Sequence, residues 1–313
     1  MTRIGARFEQ CLRDGRTALV TFVMAGDPDP STASEILRSL PAAGADLIEL
    51  GIPCSDPIGD GVSIQKAAAR ALKAGMTLRK TIQIVRQFRE TDNETPLVLM
   101  GYYNSIWAYG AGFVEDAREA GVDALMIVDL PPEEDPELCL PALAAGLDWI
   151  RFITPTTNEG RLPKVLHNSC GFLYYVSVNG VSGASAPDLE KVSQGVARVR
   201  KSTSLPIAVG FGIRTPETVA AVGEFADAAV VGSAITECIE SSLSGDGGGT
   251  EQTVTRVTKL VASLADGARR KAGRNVVAVP VQHCPPLAPS VDMLDTPVSR
   301  AGPVQPASVA TPG

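Results

Sequence analysis

The sequence predicts an α/β fold, a closed (β/α)8 TIM barrel with an extra N-terminal helix and a proline-rich tail behind it. Three observations carry this. Eight short apolar runs recur along the chain, with amphipathic helical segments between them. The runs are near-continuous rather than alternating, as in strands buried on both faces. The eight units occupy about 265 residues, close to the roughly 250 typical of such a barrel. An open doubly wound sheet is the competing architecture. It normally carries a glycine-rich dinucleotide turn after its first strand, where this chain reads AGDPDP.

Taken in order, residues 2 to 14 place Ile4, Phe8 and Leu12 on one face of a short leading helix. The strands are then ALVTFVMAG (18–26), DLIELG (46–51), LVLMGYY (97–103), ALMIVDL (124–130), DWIRFIT (148–154), FLYYVSV (172–178), PIAVGFG (206–212) and AAVVGSA (228–234). Amphipathic segments at 78–91, 112–120, 187–201 and 215–223 supply outer helices. Pro41, in STASEILRSLPAAG, removes the bond back to Leu37 and should end or kink its helix early. SSLSGDGGGT (241–250) reads as a flexible loop. After it, 251–266 resumes a helix with Val254, Val257, Val261 and Leu264 on one face. From about residue 273 periodicity fades and proline rises, so 273–313 reads as a disordered tail and 1–268 as the barrel domain.

Composition narrows the function. The chain has 313 residues, a net charge of −7 and a pI of about 5.0, with no basic patch fit for nucleic acid. No window approaches a membrane span, and the N-terminus lacks a signal-peptide core, so a cytoplasmic protein is expected. Six cysteines stand at 11, 54, 139, 170, 238 and 284 without a CxxC pair, which favours reduced thiols over zinc or redox work. His167 and His283 are the only histidines, one in a helix-like polar stretch and one in the tail. Carboxylates remain as the available acid–base groups.

The stretch DLIELGIPCSDPIGDG, residues 46 to 61, concentrates them. Glu49 lies inside an apolar strand, and Asp60 lies eleven residues on, in the loop that follows. A carboxylate in a buried strand is costly unless paired or used. Two acids with different surroundings at one mouth suit proton transfer, because burial raises one pKa while a wetter site leaves the other ionised. The competing reading is a strand-end acid that caps a helix or pairs with a surface lysine.

Glycine-containing turns follow the last three strands: NGVSGAS (179–185), GFGIRTPE (210–217) and VGSAIT (231–236). Barrels often hold phosphate with the loops after strands seven and eight and the start of a short helix. Gly232 and Ser233 would open such a helix with free N–H groups. No lysine lies in these turns, so an anion would rest on main-chain N–H groups and hydroxyls. Glycines that merely shape tight turns are the alternative.

ELGIPCSDPIGDG, FVMAGDP (22–28), GYYN (101–104), VDLPPEE (128–134), VSGA (181–184), GFGI (210–213) and VGSA (231–234) together resemble the tryptophan synthase alpha chain family, in its order and spacing, over about 1–268. The resemblance implies a lyase that cleaves indole-3-glycerol phosphate to indole and glyceraldehyde 3-phosphate by a retro-aldol reaction, with no metal or organic cofactor. It implies Glu49 and Asp60 as the catalytic pair, with Asp60 on the indole N–H and Glu49 moving protons, including that of the C3′ hydroxyl. Phe22, Tyr102, Met126 and Tyr174 match positions around the indole ring, and Ser182, with its hydroxyl, matches a residue that meets Asp60 on loop closure. Gly183, Phe211, Gly212, Gly232 and Ser233 match phosphate positions. The implied partner is a PLP-dependent tryptophan synthase beta chain, in an alpha2beta2 heterotetramer of L-tryptophan biosynthesis. Loop 53–61 and the loop with Pro131 and Pro132 would face it.

Several residues depart from the family pattern. Cys54 stands where Phe is usual, Val62 and Ser105 where Pro is common, Val178 and Asn179 where Arg is frequent, and Ser182 replaces Thr. They bear on loop closure and partner contact more than on the acids. A stand-alone indole-releasing lyase, a weak subunit that mainly activates the beta chain, and another phosphate-sugar barrel enzyme are the competing functions. Intact Glu49 and Asp60 oppose the weak subunit, the SDPIGDG loop opposes the stand-alone lyase, and ELGIPCSDP opposes the other barrel enzyme.

Overall fold

The computed structural model describes residues 2–176, 188–210 and 212–270. Its sheet is all parallel: β1 (Ala18–Met24), β2 (Leu47–Gly51), β3 (Leu97–Gly101), β4 (Ala124–Ile127), β5 (Asp148–Trp149), β6 (Arg151–Ile153), β7 (Leu173–Val176), β8 (Ile207–Gly210) and β9 (Ala228–Val231). The order β5-β4-β3-β2-β1-β9-β8-β7-β6 leaves only β5 and β6 at the ends. Those two are halves of the run 148–154, separated by Ile150 alone. The first half pairs with β4 and the second with β7. One strand therefore closes the sheet, and nine segments make the eight strand positions expected of a TIM barrel.

Alternation sorts the side chains into two shells. Ala18, Val20, Leu47, Val98, Ala124, Met126, Ile150, Phe172, Tyr174, Ala208, Ala228 and Val230 form the inner cluster. Their neighbours in sequence, such as Leu19, Ile48, Leu99, Leu125 and Val209, pack outward against the helices. The leading helix Arg3–Arg13 plugs the bottom of the barrel with Ile4, Phe8 and Cys11, and Phe8 meets Phe172 at 5.8 Å between ring centres. Cys11 takes the inward place expected for Leu12, which is half-buried.

A repeated device fixes the strand starts. An aspartate directly precedes β2, β4 and β9, and each accepts the backbone N–H of an adjacent strand: Asp46 from Leu19 at 2.9 Å, Asp123 from Leu97 at 2.8 Å, Asp227 from Ile207 at 2.7 Å. Each also holds an arginine: Asp46 holds Arg16 at 2.7 Å, Asp123 holds Arg89 at 2.7 Å and Arg3 at 2.9 Å, and Asp227 holds Arg200. Asp123–Arg89 is buried on both sides, and removing one partner from such a pair typically costs about 3–5 kcal/mol, because the other charge is left stranded.

Pro41 does not end its helix. The helix runs Pro30–Ala43, and Gly44, left-handed at φ 103°, terminates it by donating to the carbonyls of Leu40 and Pro41. A proline in the last turn forfeits little, since few bonds remain to be made there. Segment 241–250 is not a loose loop either. Ser244 Oγ donates to the Gly248 carbonyl at 2.8 Å, and the Gly249 N–H reaches Asp29 at 3.3 Å. The thiols of Cys11, Cys54, Cys139 and Cys238 are free as expected, but Cys170 is disulfide-bonded. No helix among the described residues is long and apolar enough to cross a membrane. The predicted tail, 273–313, lies outside the described residues.

Candidate active site

The carboxyl-terminal ends of the strands carry the site. Glu49 follows Leu47 by two positions on β2, so it faces inward one layer above the apolar plug. It is 1% exposed, and its Oε1 has no hydrogen-bond partner among the described residues. Burial pushes its pKa up to about 8, and no cation among the described residues offsets it. Phe22 sits beside it in register on β1. The Phe22 ring fills the space above Gly51, where a Cβ would come within 2.6 Å of its Cζ. Gly232 flanks the same ring from the other side.

Asp60 reaches the same mouth from the loop after β2. Gly59 is wedged against Tyr102 and Val128, so the loop leans across the ends of β3 and β4. The Tyr102 hydroxyl accepts the Gly59 N–H at 3.0 Å and donates to the Asp60 carboxylate. Asp60 is only partly buried. Desolvation raises its pKa to about 6, and the Tyr102 bond opposes that rise.

Tyr174 joins the two acids. It is buried on β7, and burial first, then the charges of Glu49 and Asp60, push its phenol well above the ordinary tyrosine range. Its hydroxyl occupies the place above Gly210 where a Cβ would lie 1.9 Å away. Phe152 lies tilted beside it at 5.1 Å between ring centres, and Met126 is fully buried in the layer below. Phe22, Met126, Tyr174 and Glu49 thus stand on the inner faces of their strands, with Tyr102 and Asp60 just beyond the strand ends, Glu49 buried and Asp60 only partly so.

Gly212, at φ 77°, and Gly232 with Ser233 follow the neighbouring strands β8 and β9. Gly232 caps the helix Ser233–Glu240, and no side chain caps its first turn. Free N–H groups at such an end suit an anion. Ser182, Gly183 and Phe211 lie outside the described residues, as do Val178 and Asn179.

Sequence reasoning missed three features. Tyr102 was expected only against the ring, yet its hydroxyl holds the Asp60 loop. Phe152 was not foreseen, although alternation in DWIRFIT places it inward. Nothing local in the sequence pairs Asp27, in the loop after β1, with Arg70 on the helix Val62–Lys73, a contact of 2.6 Å.

Residues 8–269 match the family model described as tryptophan synthase alpha chain. Among solved structures, a tryptophan synthase subunit alpha from Legionella pneumophila is 35% identical, covers 86% of this chain and 98% of its own, and superposes with a TM-score of 0.77. A second from Legionella pneumophila subsp. pneumophila is 34% identical, with 88% and 100% coverage and a TM-score of 0.77. A tryptophan synthase from Mycobacterium tuberculosis is 30% identical, with 86% and 99% coverage and the same score.

The unpaired burial of Glu49 has a thermodynamic consequence. An acid whose folded pKa is raised from 4.5 to about 8 destabilises the fold progressively as pH rises between those values, because the unfolded chain ionises first. Glu49→Gln removes that titration. In urea unfolding, the stability gap between Glu49→Gln and wild type is expected to widen in the variant's favour from pH 5 to pH 8, on the order of 3 kcal/mol. A gap independent of pH would mean that Glu49 is not desolvated.

Proposed function

The chain belongs to the tryptophan synthase alpha chain family and is a lyase that cleaves indole-3-glycerol phosphate to indole and glyceraldehyde 3-phosphate; on that premise we propose that Glu49 and Asp60 are its catalytic pair. The observation that carries this is the unlike placement of the two carboxyls, Glu49 buried within β2 and Asp60 half-buried in the loop that follows and held by Tyr102. At neutral pH Glu49, near 8, keeps its proton, and Asp60, near 6, is ionised.

The division of labour follows from those states. Glu49 delivers its proton to indole C3, and the positive charge that develops on the ring nitrogen is met by Asp60 across the N–H. Glu49, now a carboxylate, takes the proton of the C3′ hydroxyl. The carbon–carbon bond breaks as that oxygen becomes the aldehyde, the bonding electrons return to the ring as indole, and Glu49 is protonated again. Because charge appears only in the transition state, Asp60 acts on turnover more than on ground-state binding. Phe22, Tyr174 and Met126 provide the apolar walls for a flat ring, and Tyr102 holds Asp60. Gly212, Gly232 and Ser233 receive the phosphate through main-chain N–H groups. The family pattern adds Ser182, Gly183 and Phe211 on sequence alone.

Partner docking belongs to the same rim. The family works with a PLP-dependent beta chain, and we place that contact on loop 53–61 and the loop of Pro131 and Pro132, in an alpha2beta2 assembly in the cytoplasm. Large apolar side chains stand in water there: Ile58 is 84% exposed, Trp107 71% and Val62 57%. Ile58 shares its loop with Asp56, which is exposed and has no acid–base task, Val62 opens the helix that follows, and Trp107 lies on the helix Tyr103–Tyr109, whose Asn104 meets Cys54. Such a cluster favours an intersubunit surface over the stand-alone lyase.

Two outcomes test this reading. Asp60→Asn and Glu49→Gln should each lower indole release by about 10²–10⁴. The wild-type kcat/KM should fall as pH drops through about 6, where Asp60 protonates, and as it rises through about 8, where Glu49 ionises. Normal turnover by either variant contradicts the assignment. For the partner, the isolated chain should be a slow lyase that a beta chain accelerates. Asp56→Ala and Trp107→Ala should weaken the acceleration and spare the basal rate. A basal rate that no beta chain changes would favour the stand-alone enzyme.

A further inference from the structure

The loop after β1 holds a second buried carboxylate that the acid–base scheme does not use. Asp27 is 1% exposed, and Arg70 grips it with both prongs, Nε to Oδ1 at 2.6 Å and Nη2 to Oδ2 at 3.0 Å. A buried ion pair is a weak way to stabilise a fold compared with apolar packing, so what it fixes in place matters more. Arg70 lies on the helix Val62–Lys73, which begins two residues after Asp60.

That helix is tied to the site along its length. Gln65 Nε2 donates back to the Asp60 carbonyl at 2.8 Å. Lys66 pairs with Glu240 at 2.8 Å, joining it to the helix that starts at Ser233. Arg70 then clamps the far turn to the β1 loop. Behind the clamp, Gly26 leaves room for Met76, whose Cγ would lie 2.0 Å from a Cβ there. The loop in front is open by contrast, with Ser55, Asp56, Ile58 and Gly59 exposed.

We propose that Asp27 and Arg70 are positioning residues for the lyase reaction: their paired contact fixes the helix from which Asp60 is held, and so sets where the Asp60 carboxylate meets the ring nitrogen. This rests on the assignment of Asp60 made above. The bidentate guanidinium supplies direction as well as charge, which a lysine ammonium does not. The Asp123–Arg89 pair, at the opposite end of the barrel, is the structural counterpart with no route to either acid.

Steady-state cleavage of indole-3-glycerol phosphate by the full chain tests the proposal with Asp27→Asn, Arg70→Lys and Arg70→Met, beside Asp60→Asn and Asp123→Asn. Displacing a reacting group by even an ångström costs up to about 100-fold. Asp27→Asn and Arg70→Met should therefore lose about 10- to 100-fold in kcat, with KM nearly unchanged because the ring and phosphate contacts remain. Arg70→Lys should recover part of that loss. Asp123→Asn should unfold at lower urea yet keep its kcat while folded. Should Arg70→Met fail to fold, the near-isosteric Asp27→Asn carries the test. A wild-type kcat in Asp27→Asn, a loss confined to KM, or one that vanishes when rates are referred to folded protein overturns the positioning role. Full activity in Asp60→Asn would instead overturn the acid assignment, whatever Asp27 does.

Discussion

The proposed site depends on one burial that no partner among the described residues offsets at Oε1, the Glu49 carboxyl on the inner face of β2. The same barrel shows what compensation looks like. At the strand starts Asp46 and Asp123 are also buried and Asp227 is half-buried, but each meets an arginine and a strand N–H. At the strand ends Glu49 meets Phe22, Tyr174 and small residues instead. The lower acids each have a guanidinium beside them, whereas burial pushes the Glu49 pKa up to about 8. The fold tolerates that burial because the closed sheet and its lower ion pairs do not rely on Glu49.

Small residues let large side chains pack at the strand ends. Gly51 admits the Phe22 ring, and Gly210 admits the Tyr174 hydroxyl, each in space a Cβ would take. The wetter acid arrives on a loop, not a strand, and three contacts hold it: Tyr102 on its carboxylate and on the Gly59 N–H, and Gln65 on its carbonyl. Two of the departures from the family pattern, Cys54 and Val62, fall around this loop. Cys54 is buried, with its sulfur 3.8 Å from Asn104, and Val62 opens the following helix where a proline would preset the backbone. Neither touches Glu49.

Much of this was legible in the sequence, and the limits have physical reasons. All eight strands could be read because strands buried on both faces leave apolar runs that nothing else in the chain imitates. Glu49 stood out because a carboxylate interrupts such a run. The Pro41 expectation failed because local rules treat proline alike throughout a helix, whereas in the last turn few bonds remain to be broken. Segment 241–250 looked loose because glycine composition hides specific bonds, such as that from Gly249 to Asp29. Asp27–Arg70 and Tyr102–Asp60 join residues more than forty positions apart, and no periodicity carries that information. The aspartates before β2, β4 and β9 did leave a trace, in GAD, GVD and FAD, but only their shared position beneath the barrel gives the pattern meaning.

The most direct test of the central claim is the ionisation of Glu49 itself. A carboxyl carbon NMR titration of the isolated chain, with Glu49→Gln to assign the resonance, reads it without substrate or partner. The account predicts a midpoint near 8 for Glu49, well above the ordinary glutamate value of 4.5. A midpoint near 4.5 would contradict it, because Glu49 would then hold no proton to deliver at neutral pH.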